Sequence, residues 1–134
     1  HLVRTPETFD VLVATNFYGD ILSDLASEMS GSLGLAGSIM ASDDNCCAQA
    51  QHGSAPDIAD QDKANPVSMM LSIAMLLEWL SIKHNKENFF NASMEFNQAI
   101  DEVLKNPAHR TADLSGTTSC SGFGKLVAQQ IQAQ

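Results

Sequence analysis

Positive charge is scarce in this chain. Seven Lys and Arg residues stand against 16 Asp and Glu, a net charge of −9 over 134 residues. A nucleic-acid partner would need a basic footprint, so this balance argues against one. The acids form no tail. They are spread along the chain, with local clusters at Asp43–Asp44 and Asp101–Glu102, the pattern of a solvated surface with some carboxylates available to a divalent cation. Cysteine is also sparse. Cys46, Cys47 and Cys120 are odd in number, two are adjacent, and no CxxC occurs. That suits neither a disulfide framework nor a zinc site, and it fits reduced thiols in a cytosolic-type compartment. No apolar run reaches the ~18 residues of a membrane span, and no signal peptide is visible; no membrane partner is expected. The chain opens at His1 with HLVR and no Met, which reads as a cut through a larger protein. A cytoplasmic location is expected, and a mitochondrial one is compatible with a start that lies elsewhere. There are no internal repeats and no GxGxxG.

What is present alternates between strand and helix patterns. Residues 9–14, FDVLVA, are an apolar run of strand formers and read as a buried strand. Residues 16–30 carry Ile21, Leu22, Leu25, Ala26 and Met29 on one helical stripe. Gly31, Gly34 and Gly37 close that helix and open a loop, GSLGLAGS. Residues 46–51 read as a short strand and residues 52–57 as a polar turn. Asn65 and Pro66 have the chemistry of an N-cap and a first helical residue, opening a helix to about Lys83 with apolar residues on both faces. Residues 87–104 form a further amphipathic helix ending before Asn106-Pro107. Residues 113–116 are a turn, and residues 119–132 a last helix weakened by Gly122 and Gly124. The mixture places the chain in the α/β class.

Two stretches carry chemistry. In NFYGDILSD, Asp20 and Asp24 are four apart in the first turns of a predicted helix, which puts both carboxylates on one face about 6 Å apart. The partial positive charge of a helix start offsets part of their repulsion. A cation would offset more, and oxygen ligands favour Mg²⁺ or Mn²⁺ over zinc. The same spacing is met by a capping Asp20 and a solvated Asp24. In HGSAPDIADQDKANP, the small residues Gly53, Ser54 and Ala55 let a ligand approach the backbone closely. Asp57 can accept hydrogen bonds from both hydroxyls of a ribose and would repel a 2′-phosphate. An ordinary surface turn followed by a capped helix fits this stretch too.

Taken together, these blocks resemble the isocitrate and isopropylmalate dehydrogenase family, the metal-dependent β-decarboxylating dehydrogenases. NFYGDILSD (16–24), GSLGL (31–35) and HGSAPDIADQDKANP (52–66) occur in the family's order and spacing. DLSG (113–116) is a weaker match to the family's DLGG. The match covers essentially the whole chain, and the combined motifs are specific.

The resemblance implies an α/β fold that is not a Rossmann fold, with a large domain built from both ends of a longer chain and a smaller domain inserted between. Residues 1–30 would end the inserted domain, including a helix that packs against its counterpart in a homodimer; the stripe Leu22, Leu25, Ala26 and Met29 suits that interface, and a plain intramolecular core explains it equally well. Residues 31–134 would be the returning half of the large domain. It implies Asp20 and Asp24 as ligands of Mg²⁺ or Mn²⁺, and His52, Gly53, Ser54, Ala55, Asp57, Ile58 and Asn65 as the adenosine-binding loop. Asp57-Ile58 matches NAD-using members, where NADP-using members tend to have Lys-Tyr. The implied reaction on a small hydroxy-acid substrate is hydride transfer to the nicotinamide, then metal-assisted loss of CO₂. The family's third aspartate, its catalytic lysine and tyrosine and its substrate arginines match no position here, so no catalytic residue is assigned and these 134 residues alone are expected to be inactive. Gln49-Ala50 stands where many members have Glu-Pro, and residues 37–47 are unlike the usual sequences. Isocitrate, 3-isopropylmalate, tartrate and homoisocitrate all stay open as substrates. Two other readings are a non-catalytic regulatory subunit of a hetero-oligomeric dehydrogenase and a free-standing binding module.

Overall fold

The computed structural model describes residues 1–133. In chain order these form α1 (Asn16–Ser30), the strands β1 (Gly37–Ala41) and β2 (Cys46–Ala50), and the helices α2 (Val67–His84), α3 (Glu87–Lys105) and α4 (Cys120–Gln132). Single 3-10 turns stand at Pro6–Thr8, Leu33–Leu35, Pro56–Ile58, Pro107–His109 and Ala112–Leu114.

α2 is the centre of the packing, with the hairpin against one side and α3 against another. Its sequence contains no glycine or proline, and it runs unbroken for 18 residues at a mean hydropathy of 1.2. By length and composition alone it could cross a membrane, a stretch the sequence reading passed over. Here it is the core helix. Asn65 Oδ1 accepts from the Val67 amide at 3.0 Å, satisfying a donor that the helix start leaves orphaned. The helix begins one residue later than expected, with Pro66 just ahead of it. It stops at Asn85, which turns into the left-handed region (φ 50°) and returns its N–H to Ser81 O. Lys83 and His84 lie in the last turn, where cations meet the negative end of the helix dipole.

The core cluster joins Val67 to Ala99, Ile100 and Val103 of α3 and to Phe123 and Val127 of α4. Each large apolar side chain so buried contributes about 1.5–3 kcal/mol. Ser93 is buried beside them and donates to Ala74 O at 2.8 Å.

β1 and β2 pair antiparallel, with Gly37 opposite Ala50 and Ser38 opposite Gln49. Two buried serines of α2 stand between the strands at that end. Ser72 Oγ accepts from Ser38 N (2.9 Å) and donates to Gln49 O (2.7 Å). Ser68 Oγ accepts from Gln51 N (3.1 Å) and donates to Ala36 O (2.5 Å). The approach is close: a Cβ at Gly37 would lie 2.9 Å from Leu71 Cβ. At the hairpin's tip, Lys83 Nζ pairs with Asp44 at 2.6 Å.

Three sequence expectations change. Residues 9–14 form no strand; Val11 and Val13 are 79 and 95 % exposed, and no described residue offers the neighbouring strand that their N–H and C=O groups would need. The glycine loop is shorter than expected, because β1 already starts at Gly37. The stripe on α1 is not core of this chain: Ser27 is the one buried residue of that helix, while Ile21, Leu25 and Met29 remain exposed.

Candidate functional site

Three separated blocks of sequence wall one cleft of about 750 Å³. Ser32, Leu33 and Gly34 come from the turn after α1, the loop after β2 supplies His52 to Ala55, Ile58 and Asn65, and Ala112, Asp113 and Cys120 come from the approach to α4. Local chemistry bends the loop. Ala55 (φ 42°), Asp60 (φ 59°) and Asp62 (φ 55°) are all left-handed, and the 3-10 turn Pro56–Ile58 lies between the first two. Among the described residues, nothing beyond its own chain neighbours comes within 4 Å of where a Gly53 side chain would start, so there is room for a ligand against the backbone. His52 is exposed, and its Nδ1 lies 2.9 Å from Gly53 O. A carbonyl only accepts, so Nδ1 carries the proton and a neutral ring keeps Nε2 as an acceptor.

Of the seven loop residues named from the sequence, His52, Gly53, Ser54, Ala55, Ile58 and Asn65 line the cleft. Asp57 does not. It is exposed between Ala55 and Ile58, and its carbonyl accepts from Gln61 Nε2 at 2.7 Å. Asp60, Asp62 and Lys63 do line the cleft, and the sequence reading had not assigned them there. Asp62 clamps the loop to α4. Its carboxylate takes the Ser121 N–H (2.7 Å) and hydroxyl (2.6 Å), and its carbonyl takes the Cys120 N–H (2.8 Å). The Ser121 hydroxyl and then its N–H hold the Asp62 carboxyl below the usual carboxylate range. Burial, then the charge of Asp62, pushes the Cys120 thiol up, so it stays protonated at neutral pH.

Asp113, read from the sequence as part of a turn and of a weaker motif match but given no role, joins all three blocks. Its Oδ2 accepts from Ser32 Oγ (2.6 Å) and Asn65 Nδ2 (2.9 Å), and its Oδ1 from Thr111 Oγ1 (2.5 Å). Burial raises its pKa, and the hydrogen bonds from Ser32, Thr111 and Asn65 outweigh that, leaving the carboxyl below its ordinary range. Gly34 is required beneath this junction: a Cβ there would stand 2.8 Å from Asn65 Cβ.

Asp20 and Asp24 are both exposed on α1. Thr15 holds the N-cap position without a side-chain capping bond, and the first turn of the helix holds no acid, which removes Asp20 as a cap and weakens the dipole's relief of the pair. Gln51 Nε2 donates to Asp24 Oδ1 at 3.2 Å, tying the carboxylates to the start of the loop. Among the described residues no group of three or more His, Cys, Asp or Glu could hold a metal. Two exposed carboxylates are fewer oxygen ligands than a hard cation takes, so a cation site here would need ligands from elsewhere.

The sequence model of isocitrate/isopropylmalate dehydrogenase matches residues 1–127. The chain belongs to the isocitrate/isopropylmalate dehydrogenase family. Among curated relatives, it is 42% identical to an isocitrate/homoisocitrate dehydrogenase of Thermus thermophilus over 132 residues, 98% of this chain and 37% of that protein. It is 41% identical to a 3-isopropylmalate dehydrogenase of Bacillus cereus, covering 99% of this chain and 36% of that one. It is 39% identical to the mitochondrial NAD isocitrate dehydrogenase catalytic subunit 6 of Arabidopsis thaliana, covering 97% and 33%. This family member thus spans about a third of the length of those relatives. Its fold is that of the family: the crystal structure of isocitrate dehydrogenase from Methylococcus capsulatus superposes at a TM-score of 0.88 with 35% identity, covering 98% of this chain and 37% of that one.

Proposed function

We propose that the whole protein carrying these residues is an NAD-dependent oxidative decarboxylase of a 2-hydroxy di- or tricarboxylic acid, of the isocitrate or 3-isopropylmalate type. The observation that carries this reading is the meeting of three family motif blocks around one cleft. In it, the small residues from Gly53 to Ala55 take the adenosine against the backbone, and Asn65 and Ile58 flank it. Asp57, on the exposed turn at the cleft's edge, takes the ribose hydroxyls. Three acids on one loop, Asp57, Asp60 and Asp62, against a single Lys63 favour NAD over a cofactor bearing a 2′-phosphate. Asp20 and Asp24 hold Mg²⁺ or Mn²⁺, which supplies Lewis acidity towards the substrate when bound. The uncovered stripe of α1 fits the helix contact of a homodimer. Residues 1–30 then close the smaller domain, and residues 31–134 complete the larger one. By themselves the 134 residues bind cofactor without turning substrate over.

The test compares kcat/KM for NAD and NADP in the whole protein. A charge-assisted hydrogen bond contributes roughly 1.5–3 kcal/mol, so a preference for NAD of about a hundredfold is expected at ~1.4 kcal/mol per tenfold. Asp57→Lys with Ile58→Tyr shifts the preference towards NADP. A wild type that prefers NADP would remove Asp57 from the ribose.

A further inference from the structure

The cleft holds one carboxylate whose bonds end on residues from every wall. Ser32, Asn65 and Asp113 are far apart in sequence and meet within hydrogen-bond distance. Each partner of Asp113 has a second task in the backbone around the cleft. Ser32 Oγ also accepts from Gly34 N at 3.0 Å, and Asn65 Oδ1 accepts from Val67 N at 3.0 Å. Thr111 is fully buried, and Ser32 and Asn65 are each 9 % exposed. With Oδ1 spent on α2 and one amide hydrogen on Asp113, the second amide hydrogen of Asn65 is its one uncommitted side-chain donor.

An ionised carboxylate suits this junction because it only accepts, with about four lone-pair sites for its three donors. An amide in its place would present its own N–H groups to at least one donor. Charged acceptors also make the stronger bonds.

Resting on the reading of the cleft as a cofactor site, we propose that Asp113 is a positioning residue for the cofactor. It touches no reacting atom. It fixes the rotamers of Ser32 and Asn65, and through them the Gly34 backbone and the entry of α2, so that the cleft is formed before the cofactor arrives. Preorganisation of this kind strengthens binding by removing the cost of ordering the site.

The test uses the whole protein with Asp113→Asn, and Val103→Ala as a control that opens the core cluster at a residue that does not line the cleft. Three quantities are read: the NAD dissociation constant by calorimetry, hydrogen exchange at the Gly34 and Val67 amides, and the melting temperature. Asp113→Asn is expected to weaken NAD binding about tenfold, the loss of roughly one charged hydrogen bond, and to speed exchange at both amides. Val103→Ala lowers the melting temperature and leaves NAD affinity within about twofold of wild type. Unchanged affinity in folded Asp113→Asn, or an equal loss in Val103→Ala, overturns the proposal alone. A wild type that binds no NAD overturns the cofactor reading and this proposal with it. Should Asp113→Asn fail to fold, Ser32→Ala takes its place: it severs one bond, a severalfold weakening is expected, and unchanged affinity overturns the proposal.

Discussion

Gln51 holds Asp24: its side-chain amide donates to the carboxylate at 3.2 Å, so the helix bearing the acid pair is bonded to the residue that precedes the loop lining the cleft. On the proposed reading, a cation on Asp24 would compete with, or share an oxygen with, that amide, which puts the proposed metal site beside the loop. Asp24→Asn in the whole protein is expected to abolish turnover dependent on Mg²⁺ or Mn²⁺. The fold should survive, since an exposed position typically shifts stability by no more than about 0.5 kcal/mol. Activity against Mn²⁺ concentration, with a melting curve alongside, checks both halves. Normal metal dependence in the variant would take Asp24 out of the metal site.

Gly34→Ala is expected to destabilise by about 1–3 kcal/mol, the usual range for overpacking. The new methyl would lie 2.8 Å from Asn65 Cβ and 2.9 Å from Nδ2, and Asn65 is buried and bonded on both sides. Urea unfolding measures the loss, and weaker NAD binding should accompany it. A variant as stable as wild type would show that the turn at 33–35 yields easily.

Acid should loosen the junction in a defined direction. Burial lifts the Asp113 carboxyl, and its hydrogen bonds from Ser32, Thr111 and Asn65 bring it lower still. Its folded pKa therefore lies below the unfolded value of about 3.9. Such a group contributes stability that is complete above the unfolded value and is lost as pH falls through the folded one. The melting temperature of Asp113→Asn should fall short of wild type at neutral pH, and the gap should shrink below about pH 4. Asp62, lowered by its bonds to Ser121, acts with the same sign. A gap that stays constant down to pH 2 would contradict the assignment.

Ser115→Gly should stabilise. Ser115 sits in the left-handed region at φ 61°, where a residue with a Cβ loses roughly 1–2 kcal/mol. Glycine removes that strain and gives back part of the gain as unfolded-chain entropy. A net gain of about 0.5–1 kcal/mol is expected, read as a raised melting temperature. The adjoining Gly116 tolerates no such exchange, because a Cβ there would fall 2.0 Å from Arg110 O.

The helices were legible because their signals are local. The stripe of α3 and the Asn65 cap each lie within one turn of what they act on. Six of the seven loop residues named from the sequence share one cleft, because they stand close together on one short loop. β1 escaped because its five residues, GSIMA, follow two other glycines and show no alternation. Its edge is completed by hydroxyls from a helix some 30 residues on. The role of Asp113 escaped for the same reason: nothing within its own turn announces partners 48 and 81 residues away. Residues 9–14 misled in the opposite way, since strand-forming composition says what a segment favours and not whether a neighbour is there to pair with it.

Both ends of the loop are fastened to the first turn of α2: Gln51 N bonds to Ser68 Oγ, and Asn65 Oδ1 takes the Val67 N–H. The loop thus leaves one helical turn and returns to it, like a handle on a lid. With Asp62 and its bonds to α4 kept, such a segment can change its sequence between these two fastenings without dragging the scaffold along. It is an exchangeable cassette. Swapping residues 52–61 for the equivalent stretch of another family member, with Asp62, Asn65 and Ser68 kept, is expected to transplant one cofactor preference onto an otherwise unaltered framework.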